Sequence, residues 1–261
     1  MKRFNTRIAV LLLMQFALLH LNISAQEGLT LLGNRFFTFS TVVRVNQIET
    51  SRDAFHGTDE STIHTPEGAR KFRETIENAW PGARITWSFS WLALKDQRPN
   101  YVDLKKLVVS YHEKFGDEIT FLPGGYFANM YNTREQINRD LHEGLQMVSA
   151  MVGGGYRPKS IIAGFLAADN LQYLAEKEGI HVCQGNIWSQ YAVDNGDGEG
   201  SISYPYYPSR EHFCKPAQGE KDMIDCVNLD GWTVDFLNAR YPVPRFINGI
   251  RCGSRQGVGP I

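Results

Sequence analysis

Histidine is scarce in this chain, seven in 261 residues, and no two histidines stand four apart. The paired imidazoles that would hold and orient a divalent cation at a strand-end loop are therefore missing, and no metal and no cofactor is expected. Cysteine is scarcer still, with Cys183, Cys214, Cys226 and Cys252, and no two have the CxxC spacing of a zinc site. A formal net charge of −1 offers nothing that would draw in nucleic acid. No glycine-rich loop opens a helix to cradle phosphate, since Gly153-Gly154-Gly155 follows a helical stretch. No spacing singles out a Ser-His-Asp or Cys-His arrangement. Beyond residue 21 no apolar run is long enough to cross a bilayer.

What is present begins with an export signal. Lys2, Arg3 and Arg7 precede an apolar run from Ile8 to Leu21, and small Ala25 stands just before Gln26. That pattern is a cleavable signal peptide over residues 1–25, which places the rest in the periplasm or outside the cell with no membrane span after cleavage. Residues 26–261 suffice for one sizeable core and form one domain. Export permits disulfides, and four cysteines allow three full pairings. Cys214 and Cys226 share one loop-rich stretch and are the first candidates for a pair, while Cys183 reads as a buried thiol in a strand.

Apolar runs alternate with helical patterns, the βα signature of a parallel sheet or barrel. Strands are expected at Phe36 to Val45, Arg84 to Ser90, Glu118 to Leu122, Ser160 to Phe165, Ile180 to Gln184 and Asp225 to Leu229. Thr65-Pro66 opens a helix, with threonine as cap and proline where its missing N–H costs nothing. Leu104, Leu107, Val108, Tyr111 and Phe115 share one helical face, which Gly116 can end. Thr133-x-x-Gln136 caps a stripe of Ile137, Leu141, Leu145 and Val148. Asp169 reads as the cap of a short helix closed by Gly179. Residues 186–224 are loop-like, and the stretch from Tyr241 to Ile261 carries no closing element, so the barrel is expected to be incomplete at the C-terminus.

Between Ala83 and Trp188 the order of elements resembles the polysaccharide deacetylase and glycoside hydrolase superfamily. The residues that carry this are Thr-Trp-Ser-Phe-Ser (86–90), the junction Gly116-Asp117-Glu118-Ile119, and the helix-Gly-strand unit from Leu171 to Val182. The whole chain is also similar to a group of exported bacterial proteins of unknown function near that superfamily. The resemblance implies an α/β fold, a distorted and incomplete parallel β/α barrel of the polysaccharide deacetylase type. The departures are chemical. Asn46-Gln47 stands where deacetylases carry an acidic pair, and Pro123-Gly124-Gly125-Tyr126-Phe127 stands where they carry histidines.

Metal-free members of that superfamily cleave glycosides with two carboxyl groups, one protonating the leaving oxygen and one attacking or activating water. In parallel barrels such groups leave the C-terminal ends of strands. Glu49, Asp169 and Asp230 fall there and are the candidate catalytic residues. Each has a plainer alternative: a solvated loop carboxylate for Glu49, a helix cap for Asp169, a turn dipeptide for Asp230-Gly231. His56 lies in the polar loop beside Glu49 and is a candidate for substrate binding. Trp188, Tyr191, Tyr204, Tyr206, Tyr207 and Trp232 gather around the long loop and the last strand. Flat aromatic faces stack on sugar rings, or else these side chains pack the loop. The expected partner is therefore carbohydrate. The expected activity is metal-independent glycan hydrolysis, with a non-catalytic glycan-binding protein as the alternative.

Overall fold

The computed structural model describes residues 38–50, 52–186, 194 and 205–230. Trp188, Tyr191, Tyr204, Trp232, Cys252 and the signal segment lie outside the described residues. In chain order come β1 (Phe39–Val43), β2 (Asn46–Glu49), β3 (Phe55–Asp59), α1 (Pro66–Ala79), β4 (Ile85–Ser90), α2 (Trp91–Lys95), α3 (Pro99–Phe115) and β5 (Glu118–Leu122). A tight turn at Pro123–Tyr126 follows, then α4 (Ala128–Tyr131), α5 (Arg134–Val152), β6 (Ser160–Ile162), α6 (Ala168–Tyr173), β7 (Val182–Asn186) and β8 (Val227–Asp230).

Six strands form two parallel three-stranded sheets, β1-β4-β5 and β6-β7-β8, and β2 and β3 form an antiparallel hairpin at the end of β1. All six residues of β4 are buried, so their alternation separates the helix-covered face of the sheet from the opposite face. Trp87 meets Phe72 of α1 and Tyr111 of α3, each at 5.9 Å between ring centroids. Thr86, Ser88 and Ser90 face inward. Gln184 of β7 donates from Nε2 to Thr86 Oγ1 at 3.3 Å and to Ser160 Oγ at 3.1 Å, crossing the interior. Ser88 Oγ and Gln184 Oε1 are buried there without a protein partner, and each needs an enclosed water.

No sheet closes among the described residues. Side chains instead staple the two sheets where the β5–β6 ladder is missing. Glu118 Oε1 accepts the N–H groups of Lys159 and Ser160 at 2.8 and 2.7 Å, and Thr120 Oγ1 donates to the Ser160 carbonyl at 2.6 Å. Tyr156 OH both accepts from Ile119 N–H and donates to its carbonyl.

The helix signals in the sequence act as expected, with one exception. Thr65 caps α1 and Thr133 caps α5 through their hydroxyls, and Gly116 ends α3 in the left-handed region. The exception is Asp169. The cap of α6 is Ala167, whose N–H is satisfied by Asn170 Oδ1 at 3.2 Å. Asp169 lies inside the first turn, where its charge suits the helix dipole. A correction also applies to the cysteines: Cys183, Cys214 and Cys226 are all buried, and no disulfide links any two of them among the described residues. Cys226 lies close enough to Cys183 to bear on its thiol, as Cys226 precedes β8, which pairs with β7.

Candidate functional site

The C-terminal ends of the parallel strands lead into loops, and among the described residues the most enclosed carboxyl group of this rim is Glu49. It does not sit in a solvated loop. It ends β2 and is only 1% exposed. Ser90 Oγ donates to it at 2.7 Å, Val45 N–H at 3.1 Å and Leu92 N–H at 3.3 Å, with a further bond from Asn46 N–H. Ser90 Oγ also accepts Ala93 N–H, so Glu49 and Ser90 together hold the start of α2. Gly125 closes over the carboxyl. A Cβ there would come within 2.9 Å of Glu49 Cβ, and the backbone has φ +53°, so glycine is required on two counts. Burial pushes the Glu49 pKa above the usual carboxylate range, and the four hydrogen bonds only partly offset it.

Arg44 fixes the hairpin that carries Glu49. It grips Glu60 with two bonds of 2.6 and 2.9 Å and donates to the Gly125 carbonyl at 3.2 Å. His56 does not join Glu49, which corrects the sequence reading. It pairs across the hairpin with Ile48, one step from the Glu49–Phe55 pair, and lies exposed along an outward strand.

Asp169 stands apart from this enclosure. Its side chain is 59% exposed and pairs with Arg134 at 2.8 Å. The other buried rim carboxyl is Asp194, which falls in the 186–224 stretch that the sequence marked only as loop-like. Asp194 accepts Ala168 N–H at 2.9 Å and Phe213 N–H at 3.0 Å, and meets Arg134 at 3.2 Å. Burial pushes its pKa up as well. These contacts tie the 205–226 segment to the start of α6. Asp230 is the last residue of β8 and so falls at the same rim.

Tyr206 is a packing residue, which corrects its place among substrate-binding candidates. It bridges to Asn228, whose partner in β7 is Cys183, on the side opposite inward-facing Gln184. Its hydroxyl donates to the Phe213 carbonyl at 3.1 Å and accepts from Asn228 Nδ2 at 2.6 Å. Tyr207, in contrast, is exposed.

Two rim aromatics were missed in the sequence. Phe127 follows β5, Phe165 follows β6, and their rings stack at 5.5 Å and 20°. For Phe127 the signal was available, five residues past the strand expected to end at Leu122, whereas Phe165 was read as the last residue of its own strand. Among the described residues of this rim the donor set does not suit a divalent metal: Glu49 is surrounded by N–H and O–H donors, and Gly125 packs against it.

A pH experiment reads the state of Glu49. Its folded pKa lies above the ordinary 4.5, so the folded chain holds that proton to higher pH than the unfolded chain does. Its contribution is most favourable below the unfolded pKa and is lost as pH rises through the raised folded value. Glu49→Gln is expected to lose less stability than the wild type between pH 4 and 7, as read by urea midpoints. Parallel pH profiles would count against a raised pKa.

The sequence matches the profile of DUF3863, a domain of unknown function, over residues 29–261. No curated protein matches it. Among solved structures, a candidate glycoside hydrolase/deacetylase from Parabacteroides distasonis is 54% identical with a TM-score of 0.71. That match covers 82% of this chain and 49% of the other, so the chain spans about half the length of that protein. The likeness shows a glycoside hydrolase/deacetylase-like α/β fold. A 4-α-glucanotransferase from Thermococcus litoralis gives 16% identity and a TM-score of 0.46, over 82% of this chain and 30% of that one. A candidate polysaccharide deacetylase from Mycobacterium smegmatis gives 11% and 0.43, over 88% and 75%.

Proposed function

The chain belongs to the DUF3863 family, and from that premise we propose an exported carbohydrate-active protein that hydrolyses a glycan without a metal at the C-terminal rim of its strands. The observation that carries the reading is Glu49: a carboxyl with a raised pKa, held by four donors where the loops after β1, β4 and β5 converge. A group that keeps its proton toward neutral pH can deliver it to a leaving oxygen. The second carboxylate of such a mechanism is Asp230 at the end of β8, with solvent-exposed Asp169 as the other candidate. A separation of about 5 Å would retain anomeric configuration, and roughly 6.5–9.5 Å would invert it. The identity to the Parabacteroides protein supports the substrate class.

Binding without catalysis is the second reading, favoured by a specific observation. Glu49 is almost wholly enclosed, and Asp169 is already engaged by Arg134. A glycan binding and turnover screen on wild type and Glu49→Gln separates the two. The hydrolase reading expects turnover to fall about 10²- to 10⁴-fold in the variant with binding retained. Binding with no turnover in wild type selects the binder. Unchanged turnover in Glu49→Gln removes Glu49 from the chemistry.

A further inference from the structure

Among the described residues Glu49 has four hydrogen-bond donors, and three of them are the backbone N–H groups of Val45, Asn46 and Leu92. A peptide N–H donates but does not pass a proton on. Of the four partners, only the Ser90 hydroxyl can do both, since it donates to Glu49 at 2.7 Å and its oxygen also accepts. One of its lone pairs takes Ala93 N–H at 3.2 Å, which leaves the second. Glu49 is almost wholly buried. A proton that enters or leaves it through the protein therefore passes Ser90.

Behind Ser90 the same face of β4 continues with Ser88 and Thr86. Ser88 Oγ is buried without a protein partner. So is Oε1 of Gln184, whose Nε2 reaches Thr86, one inward step from Ser88. Both residues are more than nine-tenths buried, and both atoms call for enclosed water. Ser88 and Ser90 stand about 6.6 Å apart along the strand, beyond a direct bond and within reach of one or two bridging waters. This face also has an outlet. In the β1–β4 register Val42 pairs with Ser88 and Ser40 with Thr86, and Val42 is half-buried while Ser40 is exposed. We propose that Ser88, Ser90 and the water held between them and Gln184 form a proton path by which Glu49 exchanges with solvent along β1. Ser90 Oγ–H passes its proton to the Glu49 carboxylate as it takes one from the water behind it, and the reverse step unloads Glu49. This rests on the reading of Glu49 as the acid and deepens it: the acid is reloaded from below while product still covers the rim. Ser88 is a positioning residue here, since it touches neither Glu49 nor the glycan.

The test follows the Glu49 carboxyl by carbon NMR across pH, in the full chain labelled with carbon-13 at the glutamate carboxyls. Glu49→Gln assigns the line. Ser88→Thr keeps a hydroxyl, whereas Ser88→Val puts a methyl in its place with nearly the same shape, and both suit a strand. Wild type and Ser88→Thr are expected to give one line that moves with pH, the mark of fast proton exchange. Ser88→Val is expected to split it into separate lines for the acid and the carboxylate. A single moving line in Ser88→Val would bring the proton in from the rim and overturn the path, while Glu49 remains the acid. A wild-type Glu49 that titrates at or below the ordinary 4.5 would overturn the acid reading and the path with it. Where Ser88→Val fails to fold, a wild-type crystal structure decides. Ordered water on both Ser88 Oγ and Gln184 Oε1 upholds the path, and its absence from either overturns it.

Discussion

Asp117→Ala is expected to cost about 3–5 kcal/mol of folding stability, the range for breaking a buried ion pair by deleting one partner. Asp117 is fully buried at the entry to β5 and serves three groups at once. It accepts Ile85 N–H at 3.1 Å and Trp87 Nε1–H at 2.9 Å, and it meets Arg73 Nε at 3.1 Å. Arg73 is itself among the largest fully buried side chains, lying over the Phe115 ring at 3.9 Å. Removing the carboxylate leaves the buried guanidinium with only Glu77 and the Ala83 carbonyl, each at 3.1 Å, and leaves two N–H donors of β4 unanswered. Burial raises the Asp117 pKa in spite of its partners, so the pair itself is no large source of stability. The loss comes from what is left unpaired. Domains of this kind hold about 5–15 kcal/mol in all, and a deficit of this size takes a large part of it. Equilibrium urea unfolding of the variant beside wild type measures it. A loss below about 1 kcal/mol would show that water reaches Arg73. Arg73→Met combined with Asp117→Leu should recover only the share due to the buried guanidinium, because the Ile85 and Trp87 N–H groups stay unanswered.

That pair bears on how far the fold was legible in the sequence. The junction Gly116-Asp117-Glu118-Ile119 was visible as a strand entry, and β5 begins and ends where the pattern put it. The periodicity could not reveal that Asp117 reaches back to β4, because that contact depends on the sheet register. The long helices were readable for a local reason: caps and apolar stripes act within one element. Strand β6 came out shorter than expected and β7 began later, since an apolar run marks burial better than it marks a ladder. The β2–β3 hairpin was invisible. Its strands, Asn-Gln-Ile-Glu and Phe-His-Gly-Thr-Asp, have little β-branched character, and β3 is exposed along its length. What holds the hairpin is a turn and the Arg44–Glu60 pair, both of them tertiary facts.

The site was legible to the same degree and for the same reason. Glu49 was picked out as an acid just past the first strand, whereas its enclosure by Ser90, Leu92 and Gly125 joins three segments distant in sequence. Asp194 lay in a stretch legible only as loop, and its bonds to Ala168 and Phe213 are what give it a structural role. Tyr206 looked like a platform residue from composition, whereas the antiparallel bridge to Asn228 turns it to the outer face. Aromatic content can be counted along a chain, but the face it serves is set by the sheet.

Gly144→Ala is expected to destabilise the chain by about 1–3 kcal/mol, against the direction that helix propensity alone would give. Inside α5, alanine should be worth about 0.8–1 kcal/mol more than glycine. Here a Cβ would lie 2.6 Å from three ring atoms of Phe121, a fully buried residue of β5. A ring enclosed on all sides cannot yield by several tenths of an ångström without moving the strand or the helix, so overpacking wins. The consequence reaches the rim, because α5 begins at the Thr133 cap and at Arg134, which pairs with both Asp169 and Asp194. Displacing the helix would loosen Asp194 and with it the 205–226 segment. Urea unfolding of Gly144→Ala, Phe121→Leu and the double variant tests the argument as a cycle. The smaller leucine should relieve the clash, giving a coupling energy of at least 0.5 kcal/mol. A Gly144→Ala chain as stable as wild type would mean that α5 and β5 do not approach so closely.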